Sequence, residues 1–326
     1  MKKMYFNKKN NFFHGIMFHH FHDNLKHKKS QGSISKDDFY RIIKFIGREN
    51  ILDANLFQKK LKNNKLKKNE VCFTFDDSVK SQIDVALPVL EELKIKSFFF
   101  VYSSIFENKP DNLEFFRYFR MNYFDNINDF YNDFFKVLNR DLSNFFSEKK
   151  LIIQEKKNKF PHYSEEDIKF RLVRDQLLGK TEYEKLMLEM MKIKNFDPKT
   201  IKSEIFFNKD DVINLNKLGH SIGLHSHSHP TSFKELSHND QEKEYKKNLY
   251  VLAKILNKKE NDIRCMSHPC GSYNENTLKV LKGLGIEIGF KQIMQVETDK
   301  GMLKINNTSL EIARQDHAEI IRRIKE

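Results

Sequence analysis

Short apolar runs alternate with longer segments of helical periodicity along much of the chain. Residues 71–75 and 97–102 are rich in β-branched and aromatic side chains and have the length of buried strands. Between them, apolar residues at helical spacing predict a helix that ends near Leu93. A strand, a helix and a second strand in this order imply parallel pairing through a crossover, and therefore an α/β sheet or barrel.

The same alternation predicts seven strands, which begin near residues 16, 71, 97, 221, 263, 286 and 309. The last strand is expected at residues 309–312. Ser35, with Asp38 three residues later, predicts the capped start of a helix that runs to about Gly47. Further helices are expected at about residues 210–218, 240–256 and 275–284, and a last helix follows the final strand.

Residues 105–204 break this rhythm. Many phenylalanines recur there at mostly helical spacing among charged residues, which predicts a helical insertion that packs its own small core. A lid or wall over a substrate site is the functional alternative for this segment. The predicted domains are therefore residues 1–104 with 205–326, and the insertion at 105–204.

Two carboxylates stand where the predicted strand at residue 71 ends. Successive side chains of an extended chain point to opposite sides, so Asp76 and Asp77 are expected to have different roles unless the backbone turns between them. The alternative is a helix N-cap, in which an aspartate accepts hydrogen bonds from free backbone N–H groups.

Histidines follow the predicted strand at residue 221 in the same way. His225 and His229 are four residues apart, and a single helical turn would place both imidazoles on one side, as two ligands of one metal ion require. Two histidines and a carboxylate are a common catalytic metal set with open positions. Farther upstream, the first strand is followed by His19, His20, His22 and Asp23. These side chains could reach the site, but a polar loop is the preferred interpretation.

Composition adds limits. The chain has 326 residues and a net charge of +13, which favours an anionic partner, although the lysines form no long basic block. Three cysteines argue against a disulfide framework, and no signal peptide or spanning apolar segment is evident. These features predict a cytoplasmic protein without a transmembrane segment, and they indicate no specific nucleic-acid partner.

A third strand end, at Ser267-His268-Pro269-Cys270-Gly271, completes a pattern. Together with Thr74-Phe75-Asp76-Asp77 and His225-Ser226-His227-Ser228-His229-Pro230, it resembles the motifs of the polysaccharide deacetylase family, the carbohydrate esterases with NodB homology. The resemblance implies an irregular seven-stranded (β/α) barrel, here with the helical insertion. It also implies active residues at the C-terminal ends of strands.

The resemblance also implies roles for individual residues. Asp77, His225 and His229 would hold one divalent ion, for which zinc is expected and cobalt, nickel and iron are alternatives. Asp76 would be the general base, and Ser226 would fix the histidine loop. The third motif, with Pro269, Cys270 and Gly271, would hold the oxyanion through the backbone N–H of Cys270.

Two departures from the family pattern affect catalysis. Many members have an arginine in the third motif that orients the base; Ser267 occupies that position here, and Arg314 is the expected replacement. Many members also carry a general-acid histidine near the end of the domain. His317 is the candidate, although its surroundings match that motif poorly and an exposed helical histidine is the preferred interpretation. Cys270 stands where an aromatic residue is usual. It would be either a small buried hydrophobe or, as a thiolate near the metal, a competing ligand.

These residues predict a metal-dependent hydrolase that removes an N-acyl group, most simply acetyl, from an amino sugar. The expected substrates are an N-acylated sugar, a nucleotide-sugar or a lipid-linked glycan. One alternative is another C–N amide hydrolase that acts on cyclic imides or ureides. A second alternative is a barrel that binds glycan without catalysis, against which the presence of all three ligands and the base argues.

Overall fold

The computed structural model describes residues 13–107, 112–159, 163–292 and 308–325. The chain divides into two compact units. Met1–Asp111 and Ser203–Glu326 form the first, called the barrel unit here, and Asn112–Lys202 form the second, the helical unit. Among the described residues, no helix has both the length and the apolar character that crossing a bilayer requires.

Seven parallel strands form the sheet of the barrel unit. They are β1 (His14–Phe18), β2 (Val71–Phe75), β3 (Phe98–Val101), β4 (Ser221–Leu224), β5 (Cys265–Ser267), β6 (Ile288–Phe290) and β7 (Arg314–Asp316). Their order in space is β6-β5-β4-β3-β2-β1-β7. A parallel bridge between Phe290 and Ile312 links β6 to the segment before β7, so the sheet is a nearly closed barrel. The predicted (β/α) barrel is confirmed.

The helices follow the strands in alternation, except where the helical unit intervenes. They are α1 (Lys36–Ile46), α2 (Ala54–Lys62), α3 (Leu87–Glu92), α4 (Asn112–Asn122), α5 (Ile127–Leu138), α6 (Ser143–Glu148), α7 (Lys150–Lys159), α8 (Glu165–Leu172), α9 (Gly179–Ile193), α10 (Lys202–Ile205), α11 (Lys209–Lys217), α12 (His238–Leu256), α13 (Glu275–Gly283) and α14 (His317–Lys325). The predicted cap of α1 is confirmed, because Ser35 and Asp38 exchange hydrogen bonds as a capping box.

Phenylalanine side chains pack on both faces of the sheet, inside the barrel and between the sheet and the helices. Phe98 on β3 contacts Phe290 on β6, with ring centroids 5.2 Å apart, although two strands lie between them in the sheet order; the contact therefore crosses the interior. On the outer side, Phe75 stacks on Phe99 at 4.6 Å. This alternation follows from the period of two along each strand.

The last strand lies later in the chain than predicted. Strand β7 begins at Arg314, whereas residues 309–312 make a turn and only the single bridge at Ile312. This segment packs against β6, where the N–H of Gly289 donates to the carbonyl of Ser309. The strand itself is formed by the polar residues Arg-Gln-Asp, which the hydrophobic pattern does not identify.

The helical unit has an aromatic core of its own. Phe119, Phe130, Phe134 and Phe170 are fully buried, and the ring centroids of Phe134 and Phe170 are 4.9 Å apart. This packing accounts for the helical spacing of phenylalanines along residues 115–135. A role as a lid stays a prediction.

Candidate active site

Polar side chains gather at the C-terminal ends of the parallel strands. Asp76 and Asp77 follow β2, and His225 follows β4. Ser267 ends β5, and His19 follows β1 directly after Phe18. Because all strands are parallel, these ends meet at one mouth of the barrel, which is where barrels of this kind carry their chemistry.

Asp77, His225 and His229 converge on a single point. The Nε2 atoms of both histidines lie 3.2 Å from the same oxygen, Oδ1 of Asp77. One ligand atom from each of the three residues lies within 4.8 Å of the other two. The structure thus brings together the three residues that the sequence predicts as metal ligands.

The hydrogen bonding of His225 fits a cation at this point. Its Nδ1 lies 2.9 Å from the carbonyl oxygen of Ser267, so Nδ1–H is the donor and the neutral ring presents a bare nitrogen at Nε2. That nitrogen faces a carboxylate oxygen, and two acceptors face each other only where a proton or a metal ion lies between them. Burial alone would raise the pKa of Asp77, but the close imidazoles of His225 and His229 outweigh it and hold the pKa well below its usual value.

The loop that carries the two histidines is not the helical turn that their spacing predicts. Ser226 and His229 have φ angles of 61° and 54°, in the left-handed region, so the chain reverses between the ligands. The hydroxyl of Ser226 accepts the backbone N–H of His229 at 3.1 Å and closes this bend. The side-chain oxygen of Asn248, on α12, accepts the N–H of His225 at 3.0 Å. Ser226 therefore bonds the backbone of the histidine loop as expected, but the loop is a left-handed bend and not a helical turn.

The backbone also turns at the two aspartates. Asp77 has a φ of 70°, whereas Asp76 continues the line of β2 and donates its N–H to the carbonyl of Phe18. This turn separates the carboxylates: Asp77 faces the histidines and Asp76 faces the interior of the barrel, where it is 2% exposed. The different environments support different roles for the two acids.

Asp76 is held by Arg314 in a two-pronged hydrogen bond. Nη1 of Arg314 donates to Oδ1 at 2.8 Å, and Nη2 donates to Oδ2 at 2.7 Å. The hydroxyl of Ser267 donates to Oδ2 at 3.0 Å. Burial by itself raises the pKa of Asp76, but the charges of Arg314 and His225 more than offset it, so the pKa is lowered and the carboxylate stays ionised.

Arg314 reaches Asp76 from the start of β7 and not from the exit of the last strand. It pairs in register with Gly15, near the start of β1, and its side chain runs along the barrel interior to the mouth. A Cβ at Gly15 would lie 3.1 Å from Cγ of Arg314, so the glycine leaves room for this side chain. The predicted contact between Arg314 and Asp76 is present. The long arginine side chain makes it from the first residue of β7, whereas the prediction placed Arg314 just after the last strand.

Two expectations about exposure are wrong. His317 is buried at the start of α14, with Nδ1 3.1 Å from the carbonyl oxygen of Met17 and Nε2 2.8 Å from that of Gly32. Neither ring nitrogen can donate to a leaving group while these contacts hold. Cys270 is exposed and not buried, because its φ of 50° places it in a left-handed turn between Pro269 and Gly271.

The turn of the third motif depends on its glycine. Gly271 has a φ of 64°, and a Cβ there would lie 2.9 Å from Cβ of Gln292. A side chain at this position is therefore excluded both by conformation and by space. The role of the Cys270 N–H toward an oxyanion stays a prediction.

His19 is the residue that sequence reasoning left in a polar loop. Its Nε2 lies 3.8 Å from Oδ2 of Asp77 and 4.0 Å from Oδ2 of Asp76, and its side chain is 21% exposed. The available signal was its position directly after an apolar strand, which is the pattern that identified both the aspartates and the histidine loop. His19 is thus a partly exposed imidazole beside both carboxylates.

Known proteins share this fold and these motifs. The family model described as polysaccharide deacetylase matches residues 63–119 and 191–289, which include Asp76, Asp77, His225 and His229. A comparison with curated proteins found no match.

Solved structures match over nearly the whole chain. The Streptococcus pyogenes deacetylase PplD in complex with acetate is 15% identical, with a TM-score of 0.54, over 96% of this chain and 98% of that one. IcaB from Ammonifex degensii is 11% identical, with a TM-score of 0.54, over 97% and 98% of the two chains. A de-N-acetylase from Aggregatibacter actinomycetemcomitans is 14% identical, with a TM-score of 0.53, over 96% and 99%. At these identities the likeness establishes the fold alone. Through the family match and its motif residues, the chain belongs to the polysaccharide deacetylase family.

Proposed function

We propose that this protein is a metal-dependent hydrolase that removes N-acetyl groups from amino sugars of a glycan. One observation carries the proposal: the Asp77, His225 and His229 group lies beside a buried, ionised carboxylate, Asp76, that is no part of that group. Hydrolysis of an amide needs a site for a polarised carbonyl and water, and a separate base. The group that contains Asp77 would provide the site for the carbonyl and the water, and Asp76, which faces another direction, would provide the base.

Asp77, His225 and His229 would hold the divalent ion. When bound, such an ion lowers the pKa of water and polarises a carbonyl oxygen. Imidazole nitrogens with one carboxylate suit zinc, cobalt, nickel or iron. The carbonyl of Ser267 fixes the ring of His225 through Nδ1, so that Nε2 is the nitrogen that faces the ion.

Asp76 would accept the proton of the attacking water. Each of its oxygens accepts from Arg314, and Oδ2 also accepts from Ser267, which leaves Oδ1 the less occupied atom. The two parallel hydrogen bonds fix the plane of the carboxylate. Because the pKa of Asp76 is lowered, this base is ionised at neutral pH.

His19 would return a proton to the leaving amine. Among the described residues, it is the imidazole that lies next to both carboxylates without belonging to the ligand group, and it is partly exposed, so a substrate nitrogen can reach it. The reaction then balances: the water oxygen bonds to the acyl carbon as its proton goes to Asp76, the C–N bond breaks as the amine nitrogen takes a proton from His19, and passage of a proton from Asp76 back to His19 restores the enzyme when acetate and the amine leave. His317 is engaged with two backbone carbonyls and is not suited to this step.

The test is release of acetate from a panel of substrates by the purified protein, with and without a chelator. The panel contains N-acetylglucosamine oligomers, a nucleotide-linked N-acetyl sugar, and a cyclic imide. We expect acetate from an acetamido sugar, loss of activity with chelator, and its return on adding a divalent ion. Turnover of the imide alone would show that the protein is a different C–N amide hydrolase. Glycan binding without turnover would show that the barrel binds glycan but does not catalyse hydrolysis.

Metal content tests the ligand group directly. His225→Ala and His229→Ala should each lose most of the bound ion, whereas His238→Ala, a matched change at an exposed histidine of α12, should retain it. Stoichiometric metal in both ligand variants would remove the site.

A further inference from the structure

Side-chain oxygens hold the backbone of the loop that carries the two histidine ligands, residues 225–229, called the ligand loop here. Glu244, on α12, makes three of these hydrogen bonds. Its Oε2 accepts the backbone N–H of His227 at 2.9 Å and that of Ser228 at 2.8 Å, and its Oε1 accepts the hydroxyl of Ser228 at 2.8 Å. One carboxylate thus binds the middle of the ligand loop without touching a ligand side chain.

Asn248 lies one turn after Glu244, on the same face of α12. Its Oδ1 accepts the N–H of His225 at 3.0 Å, and its Nδ2 donates to the carbonyl of Val101, the last residue of β3, at 3.0 Å. Asn248 is fully buried, whereas Glu244 is partly exposed. Helix α12 therefore ties the start of the ligand loop to β3 and holds the middle of the loop through Glu244.

His227 lies between the two histidine ligands in sequence but is not a member of the ligand group. Its Nδ1 lies 2.8 Å from Oγ of Ser103, and its carbonyl accepts the N–H of Ser104 at 2.8 Å. Both serines are buried in the turn that follows β3. The middle of the ligand loop is therefore held from two sides, by this turn and by Glu244.

The conformation of the ligand loop depends on such contacts. Ser226 and His229 have left-handed backbone, which costs free energy for residues other than glycine and persists only where the surrounding contacts determine it. The N–H groups of His227 and Ser228, between these two positions, donate to Glu244. Loss of its carboxylate would leave both groups to water, and the loop could then relax out of this bend.

Packing of α12 accounts for the fold but not for Glu244. Tyr245, Leu249 and Leu252 are buried and fix the helix in the barrel unit. Glu242, two residues earlier, pairs with Lys246 on the same helix, and a surface pair of this kind contributes little to stability. The carboxylate of Glu244 differs because it is directed at the ligand loop and binds three of its donors.

We propose that Glu244 is a positioning residue for His225 and His229: it holds the ligand loop in the conformation in which both imidazoles face Asp77. The inference rests on the proposed function, because it explains how the metal ligands of that site are kept in place. A loop that is already ordered binds an ion more tightly, since no binding free energy is spent on ordering it. Helix α12 is then part of the metal site without supplying a ligand.

Titration of the metal-free, full-length protein with Zn²⁺, in competition with a chromophoric chelator, tests this role. Glu244→Ala should raise the zinc dissociation constant about tenfold or more, as is typical when a group that supports a metal ligand is lost. Glu244→Gln should retain most of the affinity, because its amide oxygen can accept both N–H groups. Glu242→Ala is the matched control on the same helix and should leave the constant unchanged.

Unchanged zinc affinity in Glu244→Ala would overturn the proposal. A loss in Glu244→Gln as large as that in Glu244→Ala would do the same, because it would assign the effect to charge and not to the held loop. If Glu244→Ala does not fold, Glu244→Asp decides the question, because its carboxylate is one methylene short of the loop. Weaker zinc binding in this variant would support the role, and unchanged binding would contradict it.

Amide hydrogen exchange of the metal-free protein gives a second readout. In Glu244→Ala, residues 225–229 should exchange faster while α12 keeps its protection; faster exchange along α12 with zinc affinity retained would mean that Glu244 only stabilises the helix. Zinc binding by the unaltered protein without release of acetate would end the proposed function and leave this role intact. If the unaltered protein binds no zinc, the ligand group and this role both fall.

Discussion

The guanidinium of Arg314 and the carboxylate of Asp76 form a buried pair joined by two parallel hydrogen bonds, of 2.8 and 2.7 Å. Arg314 is 1% exposed and Asp76 is 2% exposed, so neither charge is screened by solvent. A buried pair of this kind contributes little net stability when intact, but removing one partner leaves an uncompensated charge. Its presence at the barrel mouth is better explained by a need to keep an acid ionised and oriented.

Substitution of Arg314 should therefore damage both stability and turnover. Arg314→Lys keeps a charge but loses the planar fork, and we expect kcat to fall by about tenfold or more while bound metal is retained. Arg314→Ala should lower the free energy of unfolding by about 3–5 kcal/mol. Chemical denaturation and metal analysis of both variants measure these effects.

Ser267→Ala is the milder comparison, because it removes no charge and only one of the three hydrogen bonds that described residues donate to the Asp76 carboxylate. It should cost about 1 kcal/mol of stability and a smaller part of kcat. Wild-type turnover in Arg314→Lys would show that the fork has no part in catalysis.

The two aspartates should separate in a paired experiment. Asp76→Asn keeps the shape of the side chain but removes the base, so we expect turnover to fall by about 10² to 10⁴ with the metal still bound. Asp77→Asn removes the negative charge from the group that faces both histidines and should lower metal content first. Inductively coupled plasma spectrometry with single-turnover assays distinguishes these results, and identical metal loss in both variants would contradict the division of roles.

Much of the barrel was predictable, because each of its strands except the last is an apolar run at a fixed place in the α/β alternation. The last strand was missed because Arg314, Gln315 and Asp316 are polar: Arg314 is buried by its contacts with Asp76 and Thr74, which are distant in sequence. Local hydrophobicity carries no information about such partners.

The sequence predicted which residues form the site better than it predicted their conformation. Spacing identified His225 and His229, but the ring positions depend on left-handed residues at Ser226 and His229, which sequence pattern rarely reveals in residues other than glycine. His19 was assigned to a polar loop because a histidine-rich segment after a strand has no hydrophobic periodicity that would show where its side chains lie. Its closeness to Asp77 follows from the pairing of β1 with β2.

The assignment of His19 as the acid predicts a dependence on the leaving group. His19→Gln should slow hydrolysis of an N-acetyl sugar by about 10² or more, because an amine leaves poorly without a proton. The same variant should retain most of its activity on an aryl acetate ester, whose phenolate leaves without help. Equal losses on both substrates would point to a role in binding or metal retention. His317→Gln serves as the comparison, and it should not show this selectivity.

Two buried histidines outside the ligand group should make the protein less stable in mild acid. Burial lowers the pKa of His268 to about 3, and its Nε2–H donates to the carbonyl of Leu310 at 2.9 Å. Burial likewise lowers the pKa of His220 to about 4, despite the opposing charge of Glu91. Both rings are therefore neutral in the folded protein at pH values where the unfolded chain, with a histidine pKa of about 6.5, binds protons.

Since the unfolded state binds more protons in this range, stability is complete above pH 6.5 and falls as the pH drops toward 4 and then 3. Each histidine contributes up to about 1.4 kcal/mol per pH unit. His268→Gln keeps a donor near the position of Nε2 for the carbonyl of Leu310 but does not titrate, so between pH 7 and pH 5 it should lose about 2 kcal/mol less stability than the unaltered protein. Urea unfolding at the two pH values measures the difference, with the exposed His238→Gln as control. An identical loss in all three proteins would mean that His268 is not held neutral by burial.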